Sequence, residues 1–201
     1  MKKVIFGGTF NPIHLGHAEI IANVAALKDV EQVIVMPAKS PPHKICADLA
    51  CDADRFEMCK LATRNIDKTI VSDIELMRKG KSYTFDTLKH ITTLYPHDEF
   101  SLVCGGDMIV TFDQWYKFED ILDLVEIIAV RRVGIDQADF DKAVTKLINI
   151  GGRISVLKNY ITGISSTQIK ENINNKDYLL KYLDKDVYDY IFSNGLYGAS
   201  K

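Results

Sequence analysis

The stretch VIFGGTFNPIHLGHAEIIA, residues 4–22, passes from an apolar run through a glycine-rich turn into a helical pattern. Gly7 and Gly8 allow the backbone to turn tightly and allow a ligand to approach the main chain. The helix that follows begins with amides that lack intrahelical partners and with the positive end of its dipole, and both attract an anion. His14 and His17 add imidazole donors at the same place. The stretch therefore predicts a strand, a phosphate-binding turn and a helix.

This turn differs from the common phosphate-binding fingerprints, because it contains neither GxxxxGK[ST] nor GxGxxG. An alternative interpretation is a helix start whose two histidines are satisfied by the backbone, beside glycines that only make a turn. Two histidines without a nearby third ligand are an incomplete zinc site. His43, Cys46, Cys51 and Cys59 match no common zinc spacing either, so we expect no metal ligands from the protein.

The composition is that of an ordinary globular protein. The 201 residues are 47% hydrophobic and 26% charged, which predicts one domain, 1–201, with a substantial core. The net charge of −2 gives no reason to expect a nucleic acid partner, and no apolar run approaches the roughly 18–20 residues of a membrane span. Four cysteines without a CxxC pair, and no signal peptide, lead us to expect a cytoplasmic protein. The oligomeric state stays open, a homo-oligomer included.

Short apolar strands alternate with helical patterns along the chain. Strands are predicted at 3–6, 32–36, 69–72, 100–104, 126–130 and 153–157. Helices are predicted near 16–27, 53–64, 84–94, 117–124, 137–149, 166–174 and 184–193. Strands that are apolar throughout, such as 127–130, are typical of a parallel sheet covered on both faces. The repeat predicts an α/β fold, a Rossmann-like doubly wound parallel sheet in a single domain with a short helical C-terminal segment.

The topology of such a sheet predicts where the site lies. Ligands bind beyond the carboxyl ends of the strands, where the strand order reverses. For the order 3-2-1-4-5, the first and fourth strands flank that crevice. The first strand is followed by the turn at 7–17 and the fourth by Gly105-Gly106-Asp107. Two glycine-rich turns are therefore expected to meet at one place. The long irregular stretch 37–52 is typical of a functional loop.

A second candidate phosphate site lies near the carboxyl end, in ISSTQIK, residues 164–170. Ser165 and Gln168 have the spacing of a capping box at the start of a helix. Serine hydroxyls and amides at a helix start also suit a phosphate. Lys170 lies one turn beyond Ser166 on the same face. We therefore expect Ser165 to cap the helix while Ser166 and Lys170 face the ligand.

Together these motifs resemble a known family. GGTFNPIHLGH resembles the first signature, G-x-F-x-P-x-H-x-G-H, of the nucleotidyltransferase superfamily that shares HxGH with class I aminoacyl-tRNA synthetases, and ISSTQIK resembles its second, I-S-S-T-x-I-[RK]. The segments PPHK (41–44), SYTFDTL (82–88), GGDM (105–108), QWYK (114–117) and NGLY (194–197) are similar to those of bacterial nicotinate mononucleotide adenylyltransferases. Asn11 replaces a common aspartate, and Lys170 replaces an arginine found in many members.

The resemblance implies transfer of the adenylyl group of ATP to nicotinate mononucleotide in NAD biosynthesis, giving deamido-NAD and pyrophosphate, with Mg²⁺ held mainly by phosphates. It implies that the catalytic residues are His14, His17 and Lys170. It implies ATP-binding roles for Gly8, Thr9, Phe10, Gly105, Asp107, Arg131, Ser165 and Ser166. It implies that nicotinate mononucleotide is bound by Lys44, Thr84 and Trp115.

Several of these residues have simpler interpretations. Arg131 ends a strand, where basic residues are often at the surface. Trp115 is alternatively a half-buried core aromatic, Lys44 a solvated lysine and Thr84 a helix cap.

The function also has alternatives. A sibling adenylyltransferase would use nicotinamide mononucleotide or phosphopantetheine as its acceptor. A non-catalytic nucleotide-binding module would need degraded phosphate residues, whereas His14, His17, Ser165 and Ser166 are all present.

Overall fold

The apolar runs of the sequence form the strands of one sheet. The structure is a computed structural model, and it describes residues 1–39, 49–78, 83–132, 134, 136–161 and 163–199. In the described residues the strands are β1 (Lys2–Gly8), β2 (Val30–Pro37), β3 (Thr69–Val71), β4 (Glu99–Gly105), β5 (Glu126–Arg132) and β6 (Ile154–Ile161). Their order is β3-β2-β1-β4-β5-β6, and all neighbouring strands are parallel. The predicted doubly wound sheet is confirmed, with its reversal between β1 and β4.

Helices connect the strands on both faces of the sheet. They are α1 (Leu15–Ala25), α2 (Asp52–Thr63), α3 (Thr84–Leu94), α4 (Gly106–Val110), α5 (Phe118–Leu124), α6 (Gln137–Asn149), α7 (Ser166–Glu171), α8 (Lys176–Tyr182) and α9 (Lys185–Ser193). Short 3-10 helices cover Phe112–Gln114 and Leu196–Gly198. In the described part of the chain, no helix has the length and apolarity that crossing a membrane requires.

The two faces of the sheet build two hydrophobic clusters. Val4 and Phe6 of β1 belong to the cluster that also contains Ile21 of α1, whereas Ile5 belongs to the one that contains Leu88 of α3. All five side chains are buried. Because successive side chains of a strand point to opposite faces, burial on both faces requires an apolar residue at every position. This explains why the buried segments of the strands, such as 127–130, are apolar throughout.

The C-terminal helices return the chain to the first turn. Gly195 lies just beyond Asn194, the C-cap residue of α9, and its φ of +61° is the left-handed conformation that commonly closes a helix. The hydroxyl of Tyr190 on α9 donates to Asp54 Oδ1 on α2 at 3.0 Å, and Arg64 forms an ion pair with Asp186. These contacts hold α9 against α2 and direct the last residues toward the carboxyl edge of the sheet.

Candidate active site

The turn between β1 and α1 is shaped by a buried aromatic ring. Phe10 has a φ of +45°, in the left-handed region that side chains disfavour. Its ring packs edge-on against His17 at 5.1 Å and against Phe6 at 5.4 Å between centroids. A Cβ on Gly8 would lie 3.0 Å from Cζ of Phe10. Gly8 therefore leaves room for the ring that supports His17.

The two histidines of the first motif form a stacked pair. Their ring centroids are 3.7 Å apart, with 20° between the planes. His14 precedes α1 as its N-cap residue and is buried, while His17 is half-buried. The backbone N–H of His14 donates to Nδ1 of His17 at 3.3 Å. Because one nitrogen of a neutral imidazole accepts and the other donates, the proton of neutral His17 lies on Nε2. Nε2–H is the group that can donate to a phosphate oxygen.

The two sequence motifs contact each other directly. The hydroxyl of Ser166 donates to the carbonyl of Pro12 at 2.8 Å, across 154 positions of the chain. Ser165 Oγ accepts from Gln168 N at 3.2 Å, and Gln168 Oε1 accepts from Ser165 N at 3.0 Å. The predicted capping box is thus confirmed, and it anchors the helix that presents the half-buried Lys170. Helix α7 is seated against the first turn.

A cavity of about 270 Å³ opens beside the glycine turn. Gly8 and Thr9 from the turn line it together with Thr84 and Trp115, two residues assigned by resemblance to the nicotinate nucleotide. Its apolar lining comes from Ile5, Met36, Leu88 and Leu102, among others. Small-molecule sites are typically cavities of roughly 300–1,000 Å³ with apolar walls and a few polar groups. This cavity is close to that range and suits a ring with its sugar.

Trp115 packs in the core and also lines the cavity. It stacks on Phe112 with 4.9 Å between centroids and 26° between planes, as a core aromatic would. It is also half-buried and lines the cavity. Thr84 is not the cap of its helix, because the N-cap of α3 is the extended residue Tyr83. Thr84 is the first helical residue, and it too lines the cavity.

Sequence reasoning missed a polar group in the cavity wall. Thr87 donates to Glu75 Oε1 at 2.8 Å and accepts from Arg78 Nη1 at 3.1 Å. Both Glu75 and Thr87 line the cavity. Thr87 was detectable because it lies one turn beyond Thr84, whereas Glu75 follows β3 without a motif to mark it.

The second glycine turn lies where the sequence predicted. Gly105 ends β4 and precedes α4, and Asp107 is exposed in the first turn of that helix. Since β4 pairs with β1, this turn and the first one share the carboxyl edge of the sheet. Met108 of α4 lines the cavity together with Gly8.

Arg131 is not among the residues that line the cavity. The guanidinium of Arg131 forms an ion pair with Asp141 at 2.6 Å and lies 5.3 Å from the ring centroid of Phe140. Its side chain therefore connects β5 to α6, as the alternative interpretation of a partly exposed basic residue allows. Lys44 lies outside the described residues, as do His43 and Cys46.

A buried arginine beneath the first turn also escaped the sequence analysis. Arg55 of α2 is completely buried. Its Nη1 donates to the carbonyl of Thr9 at 2.7 Å, its Nε donates to the carbonyl of Ala50 at 3.3 Å, and its Nη2 pairs with Asp52. Charged side chains are buried only when they are paired, so Arg55 holds the turn in place. The residues beside it in the sequence, Asp54 and Phe56, form no motif that would have predicted this role.

The cysteines contribute packing. Cys59 on α2 and Cys104 near the end of β4 are both buried. Burial raises the pKa of both thiols far above the usual range, so neither is a thiolate nucleophile at neutral pH. Cys51 is exposed and caps α2.

Comparison with known proteins places this site in context. A family model described as "Cytidylyltransferase-like" matches residues 5–172. The chain is 39% identical over 197 residues to a "Probable nicotinate-nucleotide adenylyltransferase" of Carboxydothermus hydrogenoformans, covering 98% of each protein. A relative of the same name from Oceanobacillus iheyensis is 33% identical over 204 residues, covering 100% of each.

The fold has solved counterparts. The Plasmodium falciparum nicotinic acid mononucleotide adenylyltransferase complexed with NaAD superposes with a TM-score of 0.81 over 99% of this chain and 98% of its own. The two sequences are 20% identical, so this likeness concerns the fold.

Proposed function

The chain belongs to the family of nicotinate-nucleotide adenylyltransferases, and we propose that the turn at 7–17 and the adjoining cavity transfer the adenylyl group of ATP to nicotinate mononucleotide. One observation carries this proposal. The cavity is lined by Gly8 and Thr9 at the phosphate turn and by Thr84 and Trp115 farther away. A single cavity lined in this way supports a reaction between a pyridine nucleotide and a triphosphate.

The reaction needs little covalent help from the protein. A phosphate oxygen of nicotinate mononucleotide attacks the α-phosphorus of ATP, a new P–O bond forms, and the bond to the β-phosphate breaks to release pyrophosphate. A phosphate monoester has its second pKa near about 6, so the attacking group is already ionised at neutral pH. No general base is required. Catalysis then consists of positioning and of neutralising the charge that develops on the phosphates.

The first motif supplies the donor to the reacting phosphates. His17 Nε2–H donates to an oxygen next to the α-phosphorus, because Nδ1 already accepts from the backbone of His14. The stacked ring of His14 fixes the orientation of this imidazole. The turn residues Gly8, Thr9 and Phe10 surround the nucleotide with backbone groups.

The second motif receives the leaving group. Lys170 on α7 neutralises the departing pyrophosphate as a compact point charge, without the bidentate fork of an arginine. Ser165 and Ser166 hold α7 in place, the first by capping it and the second by bonding to Pro12.

The pyridine nucleotide occupies the cavity. Trp115 presents its indole face to the pyridinium ring, which carries a positive charge that aromatic rings attract. Thr84 and Lys44 bind the phosphate or carboxylate of the nicotinate nucleotide. Gly105 and Asp107 hold the ribose of ATP, and the backbone at Arg131 meets the adenine.

ATP enters as its Mg²⁺ complex in this proposal. Among the residues that the structure describes, no three or more His, Cys, Asp or Glu side chains are grouped to hold a metal ion. Mg²⁺ commonly keeps several waters and binds through substrate phosphates, which fits such a site. The ion would offset charge on the triphosphate.

The test is pyrophosphate release by the purified protein from Mg²⁺-ATP, with nicotinate mononucleotide, nicotinamide mononucleotide and phosphopantetheine as separate acceptors. We expect the highest kcat/KM with nicotinate mononucleotide. A higher value with either other acceptor would assign the site to a sibling reaction. No release with any acceptor would reject the proposal.

A further inference from the structure

The side chain of Asn11 joins three distant parts of the chain. Its Oδ1 accepts a hydrogen bond from the hydroxyl of Tyr197 at 2.8 Å, across 186 positions, and another from the backbone N–H of Ala50 at 3.0 Å. Asn11 lies in the phosphate turn, Tyr197 in the C-terminal tail, and Ala50 just before α2. The tail is therefore bonded to the turn that carries the histidines.

The backbone conformation of the C-terminal tail brings Tyr197 to Asn11. After α9, Gly195 and Tyr197 have φ angles of +61° and +58°, so the chain turns sharply back toward the sheet. A non-glycine residue with this φ is strained, and it persists only where its surroundings hold it. Burial raises the pKa of Tyr197 above the usual range, so its hydroxyl is protonated and can donate at neutral pH.

A second anchor closes a ring of hydrogen bonds around the turn. Arg55 donates to the carbonyl of Thr9 and to the carbonyl of Ala50, while Ala50 donates to Asn11. Thr9 and Asn11, which flank Phe10, are thus each fixed by a hydrogen bond, and Phe10 between them has a left-handed φ. The backbone at Phe10, from which the ring projects, is consequently held by Arg55, Ala50 and Asn11, which do not line the cavity.

We propose that Tyr197 is a positioning residue for adenylyl transfer, because it holds Asn11, which fixes Phe10, whose ring packs against His17. The inference rests on the proposed function. It assigns the last turn of the chain to the catalytic architecture, although Tyr197 does not line the cavity. Its effect should appear in kcat, since a displaced imidazole weakens a contact to the reacting phosphates.

The test compares Tyr197→Phe with Tyr190→Phe. The control removes a tyrosine hydroxyl from the same C-terminal region, at a hydrogen bond to Asp54 that does not involve the turn. The free energy of one hydrogen bond corresponds to a factor of roughly 3–10 in a rate constant. We expect Tyr197→Phe to lower kcat by that factor with a smaller change in KM, and Tyr190→Phe to leave kcat within about twofold at a similar loss of Tm. Equal effects of both variants on kcat would overturn the proposal.

Two further measurements separate this inference from the proposed function. In a double-mutant cycle, Asn11→Ala with Tyr197→Phe should lower kcat no more than Asn11→Ala alone, because Tyr197 acts through Asn11. Additive losses would contradict that route. Amide hydrogen exchange of residues 9–17 should be faster in Tyr197→Phe than in Tyr190→Phe, a readout that needs no activity. If the exchange of residues 9–17 is the same in both variants, the positioning role is overturned. If the wild-type protein releases no pyrophosphate, only the proposed reaction is rejected.

Discussion

His17 is the residue on which the proposed chemistry depends most. Removing its Nε2–H removes a donor to the reacting phosphates, and losing one such donor typically costs about 10²–10³-fold in kcat. We expect His17→Ala to lower kcat by roughly this factor in a pyrophosphate-release assay. His90→Ala, which changes an exposed histidine on α3, is the matched control. An unchanged kcat in His17→Ala would remove this imidazole from the reaction.

Trp115 gives a prediction about binding. Its indole lines the cavity but is separate from the phosphate turn in sequence. We expect Trp115→Ala to raise the KM for nicotinate mononucleotide more than the KM for ATP, and Trp115→Phe to restore part of the difference. Initial rates at varied concentrations of each substrate provide the measurement. Equal increases in both KM values would mean that Trp115 acts only through its packing on Phe112.

Gly8 gives a prediction about the support of His17. An added Cβ would approach the Phe10 ring to 3.0 Å, whereas a Cβ on Gly7 has Met36 O as its nearest neighbour at 4.0 Å. Phe10 is buried between Phe6 and His17, so its ring has little room to move away. We expect Gly8→Ala to lower both Tm and kcat more than Gly7→Ala does. The opposite order would show that the ring does not constrain the turn.

Single residues were predictable where they form motifs. The spacing of His14 and His17, and of Ser165 and Gln168, marked their segments because special residue types at fixed spacing have few structural explanations, whereas Trp115 was assigned by resemblance. It could not mark Arg55, since an arginine on a charged helix is normally solvated and only the tertiary structure reveals its burial. Other contacts between residues far apart in the sequence are likewise visible only in the tertiary structure.

At the scale of elements, the N-terminus of α7 is capped by side chains. Ser165 and Gln168 exchange hydrogen bonds as a capping box. Replacing an N-cap serine by alanine costs about 0.5–2 kcal/mol. We expect Ser165→Ala to lower the free energy of unfolding in urea by this amount, and Ser193→Ala, at the exposed end of α9, to change it by much less. Equal losses would show that the capping box does not stabilise α7.

Element prediction succeeded where a segment was long enough to show a period. The six strands and helices such as α3 and α6 lie where the sequence predicted them, since each has a continuous apolar run or several helical turns. The sequence analysis missed α4 and α8, which have five and seven residues. Fewer than about two turns display no clear helical period, although α5 and α7, with seven and six residues, were predicted, and α7 had a capping box to mark its start.

At the scale of the whole molecule, ion pairs at the amino edge of the sheet predict a pH dependence of stability. Asp98 accepts from Lys3 at 2.6 Å, and this hydrogen bond, with the nearby N-terminus, lowers the pKa of Asp98. A depressed carboxyl pKa contributes stability above the ordinary carboxyl range, and the contribution is lost as the pH falls through the folded-state pKa. We expect Lys3→Met to be less stable than wild type at neutral pH and to converge with it in acid.

Urea unfolding at about pH 7 and about pH 3 measures this difference. Lys28→Met, which changes an exposed lysine, is the control and should show no such convergence. A difference between Lys3→Met and wild type that is the same at both pH values would contradict the assignment.

The doubly wound parallel sheet followed from the sequence, because parallel β-α units obey strict connection rules, and the meeting of the two glycine turns followed once the order 3-2-1-4-5 was assumed. The contact of Tyr197 with Asn11 did not, since hydrogen bonds between residues 186 positions apart leave no trace in local patterns. The hydrogen bond from Ser166 to Pro12 was foreseeable only as a convergence of two motifs on one phosphate site.

The most direct test of this convergence is a crystal structure with Mg²⁺ and a non-hydrolysable ATP analogue. The account predicts that His17 Nε2 and Lys170 Nζ both lie within about 3 Å of oxygens of the same triphosphate. A triphosphate that contacts one of these groups while the other points away from it would contradict the account.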